Sequence, residues 1–381
     1  MSGRMLHHLP VEAYTGQDWF EREQEMIFSR TWAYAGFVED VAEPGAYTSI
    51  RAGLNELFIV MGRDRRLRAF HNVCRHRGTQ LLRAVGKTEK AITCPYHDWT
   101  YDLEGNLLSV PDEQREFDQI DKACYGLKAA SVDVWRGMLF VHPDPNAGSI
   151  MDWFGEIEPH LGPHDVNALV EYPKTRNTYE VKANWKIVVE NYIDVYHLSH
   201  LHSGTLAMYD HAKAKYGFVG PHYAFWEPLA PDYAANIARN TPMPLILPPD
   251  QLGAWVPMLF PGIGLAANES SWSTFTITPL APDLSRVENR TRVKKASVYA
   301  FAKQSARSAP YWWRSVSGKY KSGGDDDPMV SGDFTAEDIY ACEQQQRALK
   351  SPYFEVGPAA QGESPVIQHQ EVVLQYVEGR T

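Results

Sequence analysis

Two short segments constrain this chain more than any other feature: Cys74-Arg75-His76-Arg77-Gly78 and Cys94-Pro95-Tyr96-His97. Each carries one cysteine and one histidine, in the pattern C-x-H…C-x-x-H. Zinc also binds cysteine and histidine, but its structural sites usually pair their cysteines as C-x-x-C. Here each segment supplies one thiolate and one imidazole. That set suits a [2Fe–2S] centre with two thiolates on one iron and two imidazoles on the other, a substitution that raises the potential. Such a centre needs two loops hung from rigid supports. Leu67 to Val73 alternates like a strand and delivers Cys74, and Ala91-Ile92-Thr93 delivers Cys94. Pro95 and the Arg77-Gly78 pair suit tight loops over a cluster.

A second constellation lies at Glu190-Asn191-Tyr192-Ile193-Asp194-Val195-Tyr196-His197-Leu198-Ser199-His200-Leu201-His202. Asp194 and His197 are three apart and share a helix face. His197 and His202 are five apart, roughly 140° around a helix, so an unbroken helix cannot aim both at one point. The helix is therefore expected to end or bulge near Ser199. Two imidazoles and one carboxylate form the facial triad of non-haem Fe(II) oxygen chemistry. By itself the segment also reads as a polar helix with surface histidines. A further carboxylate has to come from downstream, where Asp333 to Gln346 opens a helix containing Asp333, Glu337 and Asp338. Asp333 has the position of an N-cap.

Taken in this order, the two motifs resemble the oxygenase component (α subunit) of the Rieske non-haem iron oxygenases, the ring-hydroxylating oxygenase family. The likeness runs from Trp32-Ala33-Tyr34-Ala35-Gly36 to the C-terminal segment. It implies an α+β chain: an all-β Rieske [2Fe–2S] domain plus a helix-grip (START-like) catalytic domain with an antiparallel sheet. The boundaries expected are an N-terminal helical arm over 1–40 packing on the catalytic domain, a Rieske domain over 41–148 and a catalytic domain over 149–381. The resemblance assigns Cys74, His76, Cys94 and His97 to the cluster, and His197, His202 and Asp338 to a mononuclear Fe(II). Family members place an Asp at the head of such a helix, followed five residues later by Glu and then Gln. Asp338, Glu343 and Gln346 match that placement, with Asp333 and Glu337 as competitors for the ligand role.

The resemblance also implies the electron path. A reductase, with or without a ferredoxin, feeds the cluster, O2 is the co-substrate, and electrons cross between neighbouring chains of a homotrimer that can carry a β subunit. Asp194 would bridge His197 and the neighbouring chain's cluster histidine, and Asn191 and Tyr196 would line the same route. Glu190 and His200 read as structural. Asp98 departs from the family, which usually has glycine there. Facing the imidazole, its carboxylate would lower the cluster potential; facing solvent, it would not.

The remaining sequence is consistent with a catalytic globular chain. With 381 residues, 44% hydrophobic and 22% charged, it is long enough for two domains. A net charge of −10 counts against nucleic acid as a partner. No apolar run is long enough to span a bilayer, and Met1 to His8 lacks the apolar core of a signal peptide. Cys124 and Cys342 lie outside the motifs and read as free thiols of a cytoplasmic protein.

Asp18 to Phe28 reads as an amphipathic helix, and Val132 to Val141 as two strands around Arg136-Gly137. Pro143 to Gly148 reads as a linker, Met258 to Leu265 as a strand, and 321–328 as an acidic surface loop. Beyond His202 aromatics are dense, and Phe218, Tyr223, Phe225 and Met258 are the candidates for the substrate pocket. Residues Pro231 to Pro249 read as a loop covering it. Quaternary-ammonium oxidisers of this family often carry Glu at the bridging position held here by Asp194, which favours hydroxylation or dihydroxylation of a small aromatic substrate. N- or O-demethylation of a quaternary amine or methoxy compound is the alternative. A Rieske electron-transfer protein without a working mononuclear iron is the reading from another class.

Overall fold

The computed structural model describes residues 6–203, 205–237, 241, 243–300, 302–303, 327–330 and 332–380. Most of the acidic 321–328 segment lies outside these residues. The chain separates into two compact units, one of residues 22–154 and one of residues 1–21 with 155–381. Residues 22–40 thus belong with the cluster unit rather than with an N-terminal arm. The reason is β1 (Ala33–Phe37), which is an edge strand of the first sheet and pairs with β10 (Met138–His142).

The cluster unit is built from antiparallel strands, as its short alternating segments dictate. Seven form one sheet in the order β1-β10-β9-β4-β3-β2-β5, where β2 is Ala46–Ala52, β3 Asn55–Met61, β4 Leu67–His71, β5 Val85–Lys87 and β9 Ala129–Trp135. The β9–β10 hairpin turns at Arg136 and Gly137, with φ of 48° and 77°. Two left-handed residues in a two-residue loop match the twist of the flanking strands. A three-stranded sheet, β6 (Ile92–Thr93), β7 (Thr100–Tyr101) and β8 (Leu107–Ser109), carries the second cluster loop. Between these elements Phe58, Phe70, Leu82, Ile92, Trp99 and Tyr101 form a core in which Cys74 and Cys94 are themselves members.

In the second unit an eight-stranded antiparallel sheet runs β11-β18-β17-β16-β14-β13-β12, with β15 pairing to β13 and β16. These strands are β11 (Val170–Val181), β12 (Lys215–Val219), β13 (His222–Pro228), β14 (Gly253–Trp255), β15 (Met258–Leu259), β16 (Ile263–Ala267), β17 (Ser271–Ala281) and β18 (Leu284–Val293). The single strand expected over Met258 to Leu265 is two strands that reverse through Phe260-Pro261-Gly262 and pair with each other, Met258 with Gly264 and Leu259 with Ile263, and proline suits the turn because it lacks the N–H that a ladder needs.

Three helices hold the site: α1 (Trp185–Ile193), α2 (Phe334–Ala348) and α3 (Ser364–Val377). Asn184 caps α1 by accepting from the Lys186 N–H at 3.0 Å. Asp333 caps α2 by accepting from the N–H groups of Thr335 and Ala336 at 3.1 and 3.4 Å. Side chains of α2 then lock the start of α1: Gln346 accepts from the Asn184 N–H at 2.7 Å and Glu343 from the Lys182 N–H at 3.1 Å. On its other side Glu190 accepts from the Tyr14 hydroxyl at 2.6 Å and from the Gln370 amide of α3 at 3.2 Å. Glu190 is buried in this network and holds α1 in place.

Candidate iron centres

The two cluster loops repeat one hydrogen-bond pattern. The Cys74 N–H donates to the Thr79 carbonyl at 2.9 Å, and the Gly78 N–H returns to the Cys74 carbonyl at 3.0 Å. In the other loop the Cys94 N–H donates to Trp99 at 2.9 Å, and the Asp98 N–H returns to Cys94 at 3.1 Å. The equivalent fifth residues, Gly78 and Asp98, both have left-handed backbone, with φ of 77° and 55°. Glycine enters that region without strain, and aspartate is among the few other residues that visit it. The departure at Asp98 is therefore accommodated by the backbone, and the residue is exposed.

These loops bring a suitable donor set together. Both cysteines are buried, and the Tyr101 hydroxyl lies 3.4 Å from Cys74 Sγ while accepting from the Arg75 N–H at 3.0 Å. Burial pushes the Cys74 thiol up, and the neighbouring Cys94 adds to the rise. A metal bound between two such sulfurs would take them as thiolates, releasing their protons. His76 and His97 meet edge to face with ring centroids 4.6 Å apart, and His76 stacks on Trp99 at 4.9 Å. Burial first, then the charges of His97 and Arg77, lower the His76 pKa, so the ring is held as the neutral ligand form. Its Nδ1 is buried with no hydrogen-bond partner, as an iron ligand atom requires. The residues fit a [2Fe–2S] cluster.

The second centre forms where α1 stops. The helix ends at Ile193, earlier than the break expected near Ser199, because Asp194 leaves helical geometry with ψ of 126°. Its carboxylate accepts from the N–H groups of Tyr196 and His197 at 2.7 and 3.3 Å, which starts a separate turn. His197 and His202 both lie on the turns beyond, free of the helical spacing that would have separated them. One ligand atom from each of His197, His202 and Asp338 falls within 4.8 Å of the others. His202 Nε2 is 3.0 Å and His197 Nε2 3.8 Å from Asp338 Oδ1.

The opposite edges of the two rings are each held by a carboxylate. His197 Nδ1 lies 3.1 Å from Asp194 Oδ2, and His202 Nδ1 lies 2.8 Å from Glu337 Oε2. Such partners fix the tautomer so that Nε2 faces the metal. Burial tends to lower the His202 pKa, but Asp338 and then Glu337 outweigh it and the pKa rises. The surroundings favour positive charge, which is what a divalent cation would supply. Asn191 donates to Asp338 Oδ1 at 3.2 Å and orients that carboxylate. The competitors at the head of α2 thus have other tasks: Asp333 caps the helix and Glu337 aligns His202.

A cavity of about 460 Å³ opens over this triad, and its wall includes Asn191, Asp194, His197, His202 and Asp338. The Tyr192 ring on its wall stacks on Phe275 at 5.5 Å. It passes so close to Gly264 that a Cβ there would meet the phenol at 2.8 Å. Tyr223 and Phe225 line the cavity, whereas Phe218 and Met258 do not. Both of these pair with Tyr223 across the sheet, but they pack with Ile193, Phe260 and His369 in a separate crevice. Tyr196 is 53% exposed, stands beside His200 at 5.1 Å and is absent from the cavity wall. None of the described residues of 231–249 lines it either. Glu227, which the sequence reading passed over, is on the wall. Its signal was the alternation Tyr223, Phe225, Glu227 along β13, which puts all three on one face.

The family model described as ring hydroxylating alpha subunit (catalytic domain) matches residues 171–379, and that of the Rieske [2Fe–2S] domain matches residues 31–130. The carnitine monooxygenase oxygenase subunit of Escherichia coli (strain K12) is 37% identical over 202 residues, 51% of this chain and 52% of that protein. The large oxygenase component of the naphthalene 1,2-dioxygenase system of Pseudomonas aeruginosa is 34% identical over 209 residues, 54% of this chain and 46% of that protein. The chain spans about half the length of the curated relatives it matches. Among solved structures, a quaternary ammonium Rieske monooxygenase in complex with L-carnitine superposes with a TM-score of 0.74 at 22% identity, covering 100% of this chain and 96% of that one. Naphthalene 1,2-dioxygenase from Rhodococcus sp. bound to indole gives 0.71 at 19% identity, covering 97% and 93%. These superpositions show a shared fold.

Proposed function

Because the chain belongs to the ring-hydroxylating α-subunit family of Rieske oxygenases, we propose that it is the terminal oxygenase component of a multicomponent system acting on a small organic substrate. The observation that carries this reading is the convergence of His197, His202 and Asp338 on a cavity large enough for such a molecule. A site that only relayed electrons would need no such cavity. This counts against an electron-transfer protein without a working mononuclear iron.

Cys74, His76, Cys94 and His97 would hold the cluster, and His197, His202 and Asp338 the mononuclear iron. When bound, the two centres supply single electrons and the open coordination positions at which O2 is activated. The chain's own residues prepare the site. Asp194 and Glu337 fix the two imidazoles, Asn191 fixes the Asp338 carboxylate, and the apolar wall around Phe225 and Phe275 keeps water away from the substrate. The family relationship supports a homotrimer, with or without a β subunit, fed by a reductase or ferredoxin. In that assembly Asp194 would connect His197 to the neighbouring subunit's cluster. The free state of all four cysteines is consistent with a cytoplasmic location. Among the described residues no helix is long and apolar enough to cross a membrane.

The test is a single turnover of chemically reduced protein with O2. Wild type should oxidise its cluster and form one product per active site when substrate is present. Asp338→Ala should keep the visible spectrum of the cluster, lose the mononuclear iron and form no product. Product formation by the iron-depleted variant would refute the assignment. Asp194→Ala should retain both centres yet lose nearly all turnover.

A further inference from the structure

Every carboxylate on the cavity wall already has a partner. Among the described residues that line it, Asp194, Glu227 and Asp338 are acidic, and none is lysine or arginine. His197 Nδ1 lies 3.1 Å from Asp194, His202 Nε2 3.0 Å from Asp338 and His211 Nδ1 2.7 Å from Glu227. Hydrogen-bonding capacity that the wall leaves open is therefore uncharged, and it includes two amides side by side.

Asn177 of β11 pairs with Asn289 of β18, and Asn289 with Phe275 of β17, so the three share one face of the sheet, and all line the cavity. Two residues on, Thr291 pairs with Ser273 on the same face. The Thr291 hydroxyl donates to Asn289 Oδ1 at 3.1 Å and lies 2.8 Å from Ser273 Oγ. Threonine has a single hydroxyl proton, so Ser273 is the donor in the second bond. This chain fixes the Asn289 amide with its oxygen toward Thr291. Its Nδ2 is turned the other way and has no partner among the described residues. Asn177 is exposed, and its side chain likewise makes no hydrogen bond among the described residues.

The neighbouring pair on this face is Tyr179 with Val287. Burial, then Asp338, Cys342 and Asp333, push the Tyr179 phenol up, so its ring stands within electrostatic reach of the Asp338 carboxylate. Two residues of strand span about 7 Å, and a small molecule held at the triad can reach the amides. On this wall an anion would meet carboxylates and no lysine or arginine. A cation would compete with the histidine that each carboxylate already holds. A neutral carbonyl accepts from Asn289 Nδ2 with no charge to desolvate, and an amide N–H can donate to Asn177 in return.

We propose that the cavity selects an uncharged substrate bearing an amide-type carbonyl, which accepts from Asn289 Nδ2 beside Asn177 while the rest of the molecule lies toward the triad. This rests on the oxygenase reading only in taking the cavity as the substrate site. Asn289 is then the residue that sets specificity.

The experiment is calorimetric titration of the iron-loaded protein with four probes built on one phenyl ring: benzamide, the anion benzoate, the cation benzamidine and the apolar toluene. Benzamide should bind at least about tenfold tighter than either ion and at least about threefold tighter than toluene. Asn289→Asp keeps an acceptor for Thr291 but exchanges the free donor for a carboxylate oxygen. Benzamide should weaken at least about threefold in this variant, and benzamidine should become the tightest ligand. An ion or toluene binding as tightly as benzamide, no benzamide binding at millimolar concentration, or a ranking unchanged in Asn289→Asp would each overturn the proposal. If Asn289→Asp does not fold, Asn289→Ser, which withdraws the donor, decides by the same loss for benzamide. Oxidation of the reduced cluster by O2 is followed in parallel. Benzamide selectivity with no such oxidation under any ligand would refute the oxygenase reading and leave this proposal standing; oxidation stimulated by benzoate or benzamidine alone would do the reverse.

Discussion

Glu337 Oε2 sits 2.8 Å from His202 Nδ1, with the two residues 3% and 1% exposed. The Thr205 hydroxyl donates to the same carboxylate oxygen at 3.0 Å. The imidazole therefore has one rotational state available, with Nε2 turned to Asp338. Removing the carboxylate with Glu337→Ala should weaken Fe(II) binding by about 10–100-fold. The visible absorption of the cluster should not change. Titration with buffered Fe(II) measures this, and unchanged affinity would mean that the ring is oriented by packing alone.

Gln346 joins α2 to both the start of α1 and the N-terminal segment, accepting from the Asn184 N–H and donating to the Tyr14 carbonyl at 3.1 Å. Gln346→Ala removes the acceptor of the buried Asn184 N–H and the bond to the Tyr14 carbonyl. The expected loss is about 1–3 kcal/mol per orphaned group, read as a lower denaturation midpoint. A variant as stable as wild type would show that α1 and α2 dock without this link.

Much of this candidate site was legible in the sequence because the residues that the structure brings together sit in short local patterns. The Cys-x-His and Cys-x-x-His spacings specified two loops, and the position of Asp338 before Glu343 and Gln346 separated it from its competitors. Other features depend on tertiary placement that spacing does not carry. The helix break falls at Asp194 because that side chain captures its own downstream N–H groups, a contest between helix and turn that helical spacing does not register. Glu337 read as a competitor for the ligand role, whereas its carboxylate lies against His202 Nδ1 and away from the point where His197, His202 and Asp338 meet, since adjacent positions on a helix face different directions. Phe218 and Met258 share a sheet face with Tyr223, yet they lie in its row toward His369 rather than toward the iron site.

The left-handed backbone at Asp98 gives a prediction with opposite signs for two substitutions. Asp98→Gly should keep the loop and stabilise the cluster unit by up to about 1 kcal/mol. Asp98→Val places a β-branched side chain at the same φ and should cost about 1–2 kcal/mol, with loss of visible absorption on mild heating. Thermal melts followed by absorbance and by circular dichroism check both. Equal stability of the two variants would rule out backbone strain as the constraint.

Cys124 is exposed, and its thiol donates to Asp121 Oδ2 at 3.4 Å. That hydrogen bond, followed by the carboxylate charge, raises the thiol pKa. At a fixed pH below that raised value less thiolate is present, so alkylation should be slower than for an ordinary exposed cysteine. Asp121→Asn removes the charge and should increase the rate across pH 7–9. Iodoacetamide labelling with mass-spectrometric readout of the Cys124 peptide tests this, and a rate indifferent to Asp121 would contradict it.

Cys74 and Cys94 are counted among the core residues of their unit, packed with Trp99, Tyr101 and Leu82. The loops that carry them are rooted in different sheets, so an inorganic group bound by both works as a staple between the two layers. Metal delivery is then a step in folding as well as in activation. A cell short of iron–sulfur cargo would accumulate this unit unstapled, its two thiols facing each other in an unfilled interior.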